Sequence, residues 1–189
     1  MKKLLIVLLL ISGVNNSNAQ DNTLFEAEGN LESPNPCGCV ELTEITNKHN
    51  PADILNGMGK CIELQKFEKA AKLFAIAGVY GKYDTYRVKD RTAHQVLLVL
   101  QQNIILKFGD DDKKKMMSSL QVLLEKGSHN LSAVCQSIQE VGVPEYIPKY
   151  MIQHGMQAFI NKEDKGIVED FDSKASWSLA LESYLHCGE

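Results

Sequence analysis

The residues best suited to chemistry lie in VYGKYDTYRVKDRTAH, positions 79 to 94. The stretch holds Tyr80, Tyr83, Asp84, Tyr86, Arg87, Asp90, Arg91 and His94. Asp90 and His94 are four residues apart, so on one helix the carboxylate would orient the imidazole. An enzyme built on them would use His94 as general base, Asp90 as its orienter and Arg87 as an anion clamp. The same residues also read as a polar helix entrance, with tyrosines packing flat and charges pairing. A site for a small anionic ligand, or for an acidic side chain of a partner, lies between those two readings. A second cluster, PEYIPKYMIQHGMQAF, begins at Pro144. It sets Tyr150 and His154 on one helix face, with Tyr146 and Met156 close by in sequence. A histidine beside a methionine is a copper-type donor pair in an exported protein. One such pair is a weak signal, and the preferred reading is a histidine at the edge of a core. His49, His129 and His186 have no ligand spacing. No metal or cofactor is assigned.

Serine-hydrolase, zinc-protease and phosphate-loop patterns do not occur in the chain. The run Asp110-Asp111-Asp112-Lys113-Lys114-Lys115 reads as a solvated helix start. Acids there complement the dipole and pair with bases one turn later. A calcium loop would need oxygen donors at alternating positions and a later glutamate.

Five cysteines, Cys37, Cys39, Cys61, Cys135 and Cys187, make an odd set. Disulfides are expected in an oxidising compartment, with at least one thiol outside an intramolecular bridge. Cys37-Gly38-Cys39 has neither the spacing of a redox Cys-x-x-Cys nor a second pair for zinc. A strained redox pair and a structural role both remain open for it. A bridge from this segment to a helix or to Cys187 would pin an otherwise loose terminus.

The elements that must position these groups are helical. MKKLLIVLLLISGVNNSNAQ reads as a signal peptide: two lysines, the apolar run Leu4 to Ile11, and small residues before a cut after Ala19. The run is too short to span a bilayer, which takes ~20 residues. A periplasmic or secreted mature chain without membrane insertion is therefore expected. Its formal charge changes from −4 to −6 once Lys2 and Lys3 are lost. That balance disfavours nucleic acid as a partner.

Residues 20–50, broken by Pro34 and Pro36, read as an extended, mostly irregular arm. Residues 51–189 read as one all-α domain of about seven helices. Asn50-Pro51 starts the first, as N-cap and first helical position. The second begins at Phe67 and is expected to end near Gly78–Gly81. The third opens at Asp90 or Thr92. Its apolar residues Ala93 to Ile105 surround it, which predicts a central, buried helix. Met117, Leu120, Leu123 and Leu124 form the apolar face of the next. Ser128 and Asp172 or Ser173 cap two later ones.

Phe67, Ala70, Phe74 and Ala77 resemble the turn and second helix of a tetratricopeptide repeat, in which small residues let two helices approach closely. The resemblance covers one hairpin. Gly57 and Gly59 flank Met58 out of register with the repeat's Leu-Gly pair. Lys82 stands where the repeat has proline, and no second copy follows ~34 residues on. It implies a single repeat-like hairpin within an irregular bundle. The expected function is binding, with another exported protein as partner. The alternative is an enzyme or small-ligand-binding protein that uses the segment from Tyr80 to His94.

Overall fold

The computed structural model describes residues 26–160 and 165–188. The signal-peptide reading and its cleavage point lie outside the described residues. Eight α-helices occur among the described residues: α1 Pro51–Glu63, α2 Phe67–Arg87, α3 Val96–Ile105, α4 Asp110–Leu123, α5 His129–Val141, α6 Lys149–Ile152, α7 Gln157–Ile160 and α8 Ser173–Leu185. Short 3-10 turns stand at Leu42–Glu44 and Arg91–Gln95. The only extended pairing among the described residues is an isolated antiparallel bridge between Val88 and Ile167. The count exceeds the expected seven by one because the segment 149–160 forms two single-turn helices, α6 and α7. Among the described residues no helix is long and apolar enough to cross a membrane.

Side-chain caps start α1, α5 and α8. Asn50 accepts from the Asp53 amide, Asp53 returns a bond to the Asn50 amide, and Pro51 occupies the first turn. Ser128 caps α5 through the Leu131 amide, and Asp172 caps α8 through that of Ala175.

The central helix is α2, packed by α1, α4 and α8. It does not stop at Gly78 or Gly81 but continues to Arg87. A side chain at Gly78 would run into the Tyr184 ring of α8, and one at Gly81 into Leu97. Glycine costs a helix interior about 1 kcal/mol relative to alanine. Here it permits two close approaches, so tertiary packing overrides the local stop signal.

The third helix is a correction in the other direction. Residues 91–95 form a 3-10 turn, and α3 begins only at Val96. It lies at the edge, resting on α1 and α6, and Leu98 is 56% exposed. A helix apolar all round is here partly a surface helix. On α4 the buried residues are Met116, Leu120 and Leu123, whereas Met117 is 56% exposed.

The arm is tied down along the described part of its length. Fully buried Asp53 accepts from Ser33 Oγ at 2.8 Å and from the Asn35 amide at 2.8 Å. Asn50 Nδ2 donates to Glu32 O at 3.0 Å. Leu42 and Ile45 are inserted into the core.

Ala70, Ala71 and Ala77 have no exposed surface, and Phe67 and Phe74 pack beside the core. Replacing Ala70 by Leu should therefore overpack the interior by ~1–3 kcal/mol. A melting curve should shift down by several degrees, and an unchanged midpoint would contradict the packing.

Candidate functional site

The second half of α2 carries Tyr80, Tyr83, Asp84 and Arg87 at spacings of three and four, hence on one face. That face meets the segment 142–150 and α8. Asp84 is wholly buried. Its Oδ2 accepts from Tyr150 Oη at 2.7 Å and Tyr146 Oη at 2.9 Å. Its Oδ1 accepts from Arg87 Nε at 2.7 Å. Arg87 Nη2 is 2.6 Å from the same oxygen but lacks hydrogen-bond geometry, so it contributes charge rather than a directed bond. The guanidinium lies between the Tyr83 and Tyr146 rings, 5.0 and 4.9 Å from their centroids.

Burial pushes the Asp84 carboxyl upward, and Arg87, Tyr150 and Tyr146 pull against it. Every polar atom facing it is a donor, which is the environment of an ionised carboxylate. Burial disfavours the Arg87 charge, and Asp84 more than restores it. Burial, followed by the charge of Asp84, raises the Tyr146 and Tyr150 phenols well above their ordinary value.

The other tyrosines close the same junction. Tyr80 donates to Gly142 O at 3.0 Å and meets Trp177 edge-on. Tyr83 Oη is 2.8 Å from Ser173 Oγ, and its ring meets Phe171 and Trp177 edge-on. Tyr86 Oη is 3.0 Å from Ser183 Oγ. These contacts bind α2 to α8.

The structure therefore divides the expected cluster. Tyr80, Tyr83, Asp84, Arg87 and Tyr150 come together, but inside the core. Arg87, which an anion clamp would present to a ligand, is buried. Asp90 does not orient His94. Its carboxylate accepts from Thr92 N and Oγ1 and from the Gln157 amide. Burial opposes the charge on Asp90, but those donors leave its carboxyl below the usual range. His94 Nε2 faces Val88 O at 2.9 Å instead. The reason is local: residues 91–95 are a 3-10 turn rather than an α-helix, so the four-residue spacing no longer aligns the side chains. Arg91 is exposed. His154 lies past the end of the single-turn α6, so it does not share a helix face with Tyr150 as expected; its Nδ1 contacts Asn30 Oδ1 at 2.9 Å, which ties that turn to the arm, and Met156 is exposed. Among the described residues no group of three or more His, Cys, Asp and Glu is arranged to hold a metal ion.

The cysteines pair as Cys39–Cys61 and Cys135–Cys187. The first bridges the arm to α1, and the second holds the end of α8 to α5. Cys37 is free and half-buried, its Sγ 3.4 Å from Asp53 O. It crosses α1 at Gly57, where a side chain would strike the sulfur. Burial, with a smaller contribution from the Asp53 charge, raises the Cys37 thiol from 9.0 to about 11. Alkylation follows the thiolate fraction. At pH 8 iodoacetamide should label Cys37 alone, roughly 100-fold more slowly in native than in unfolded protein. Fast native labelling, or mapped bridges with other partners, would contradict this arrangement.

Two open clefts flank α4, and neither was foreseen. A cavity of about 840 Å³ lies between α2, α3 and α4, with Met116, Leu120 and Phe74 as its floor and Met117, Leu124 and Ile105 as its walls. It exists because α4 rests on α2 and α3 on α1, leaving a gap between the two. A second cavity of about 620 Å³ lies between α2, α4 and α5. Val122 borders both. The spacing Lys113, Met117, Leu120, Leu124 contained the signal for the first cleft. It could not say whether another helix of the chain covers that stripe.

Comparison with protein-family models, curated proteins and solved structures gives no match. The functional reading therefore rests on the geometry of this chain.

Proposed function

We propose that this protein is an exported binding protein that takes an amphipathic helix of another exported protein into the cleft between α2, α3 and α4. The observation that carries the reading is the cleft itself: an apolar trough open to solvent, walled by methionine and aliphatic side chains. A helix laid in a groove is read by side chains at three- and four-residue spacing, and methionine adapts its shape to such a guest. Exposed Met117 and Val122 leave apolar surface on its rim.

The ends of the cleft differ in charge. Lys113 stands in the first turn of α4 and Glu125 two residues past its end. The helix from Lys113 to its end at Leu123 is about 15 Å long. A guest helix has a partially negative C-terminus and a partially positive N-terminus. It would lie antiparallel to α4, with its C-terminus at Lys113 and its N-terminus at Glu125. The tetratricopeptide-like spacing of the α1–α2 hairpin supports the same class of function. Acidic overall charge and the predicted export signal favour an exported protein over nucleic acid as the guest.

Photo-crosslinking from position 117 of the mature chain, followed by peptide mapping, tests this. The expected adduct is a segment with apolar residues at three and four, captured at least ten-fold less when Met117→Glu is introduced as a second-site control with the crosslinker at 124. Because Met117 is exposed, that substitution should leave the melting temperature unchanged. Equal capture by Met117→Glu, or adducts to extended segments, would reject the reading. Concentration-dependent dimers with crosslinks between two copies would reassign the guest to this chain itself.

A further inference from the structure

On the far side of α4 lies the second cleft, and its chemistry differs from the first. Its floor is aliphatic: Leu42, Ala71, Leu123 and Val134, all nearly buried. Its walls carry hydroxyls and one amide, from Thr43, Ser118, Ser119, Ser137 and Asn130. These short side chains do not fill the space where α4 and α5 diverge, and so a cavity of about 620 Å³ stays open. That size lies within the range of small-ligand sites. No aromatic ring lines it. A stacked planar ligand therefore finds no platform, whereas aliphatic groups find a floor.

The polar lining offers donors and acceptors together, since each hydroxyl and the amide can do both. A peptide backbone presents the same mixture, one N–H and one C=O per residue. The charges are also mixed. Glu41 is engaged by Lys69 at 2.8 Å. Lys72 also acts on the Glu41 carboxylate, more weakly than Lys69; Glu68 stands one turn before it on α2, and both border the cleft. A carboxylate and an ammonium on one rim match a ligand with both charges. At 3.3–3.6 Å per extended residue, the ends of a di- or tripeptide are roughly 7–11 Å apart. Side chains at this helical spacing start ~5–6 Å apart and reach outward.

We propose that the cleft between α2, α4 and α5 binds a short free-ended peptide with small or aliphatic side chains. Its ammonium faces Glu68, its carboxylate faces Lys72, and its side chains rest on Ala71 and Val134. This site is separate from the protein-binding trough and does not depend on it.

The probe is the tripeptide Ala-Val-Ala, titrated into mature protein with amide chemical shifts and calorimetry as readouts. The expected result is saturable binding with shifts confined to residues 41–43, 68–72, 118–123 and 130–137. Acetylating and amidating the peptide should weaken it by about ten-fold or more, the loss of two charge-assisted contacts. Lys72→Met should weaken the free peptide but not its C-terminal amide. Ala133→Phe, at an exposed wall position, should fill the cleft and abolish binding without moving the melting temperature. If that variant proves less stable, Ser118→Leu serves the same purpose from α4. Absence of saturable binding at millimolar peptide would overturn the proposal. So would equal affinity for the capped peptide, tighter binding of octanoate, or shifts elsewhere on the surface.

Discussion

Replacing Arg87 by Ala should lower stability by about 3–5 kcal/mol, the usual cost of removing one partner from a buried ion pair. Asp84 would keep only the Tyr146 and Tyr150 hydroxyls against a fully buried charge. The Tyr83 and Tyr146 rings would lose the guanidinium between them. For a domain of this size each kcal/mol is worth ~2–4 °C, so the melting temperature should fall by roughly 10 °C. The pH dependence gives a second readout. Burial already raises the Asp84 carboxyl, and loss of Arg87 raises it further. A carboxyl whose folded value lies above its unfolded value is stabilised by protonation. The deficit should therefore be largest at neutral pH and shrink as the pH falls below the folded value. Denaturant melts of wild type and Arg87→Ala at pH 5 and pH 8 measure both effects. A deficit under about 1 kcal/mol, or one that grows in acid, would mean that Arg87 does not neutralise Asp84 in the core.

Removing the Cys135–Cys187 bridge should cost about 4 kcal/mol. The bridge closes a loop of 52 residues, and loop-closure entropy of that length is worth about 4 kcal/mol in the chain-entropy picture. The smaller Cys39–Cys61 loop, of 22 residues, should cost about 3 kcal/mol by the same relation. The two bridges also hold different elements. Cys135→Ala with Cys187→Ala frees the end of α8, which carries Leu185 and Trp177 into the core. Hydrogen exchange should then accelerate along α8 before it does along α1. The Cys39 and Cys61 double variant should loosen the arm first, around Leu42 and Ile45. Melts and exchange on the two double variants test this. A Cys135/Cys187 variant within about 1 kcal/mol of wild type, with α8 still protected, would reject the anchoring role.

The correction at Arg87 has a general physical source. An amphipathic pattern records which side chains share a helix face. It does not record what covers that face. Tyr80, Tyr83, Asp84 and Arg87 fall on one side of α2 whether that side is a binding surface or an interior seam. The decision lies with α8 and the segment 142–150, which bring Trp177, Tyr146 and Tyr150 from ~60 to ~100 residues away. Asp90 and His94 fail for a different reason. Their pairing needs an α-helical turn, and the Asp90 cap with its Thr92 bonds sets a 3-10 turn there instead.

Sequence by itself determined the helical class, the caps at Asn50 and Ser128, a cap at Asp172 or Ser173, and the odd cysteine count. These depend on short-range rules: periodicity, side-chain bonds to the first-turn amides, and arithmetic. The tertiary structure alone decided that α2 runs through Gly78 and Gly81, because only the Tyr184 ring and Leu97 show why glycine is needed there. It alone decided that α3 sits at the edge, that Cys37 is the unpaired thiol, and that α4 stands between two open clefts. Each of these turns on which distant element comes to rest against a face, and no local spacing carries that information.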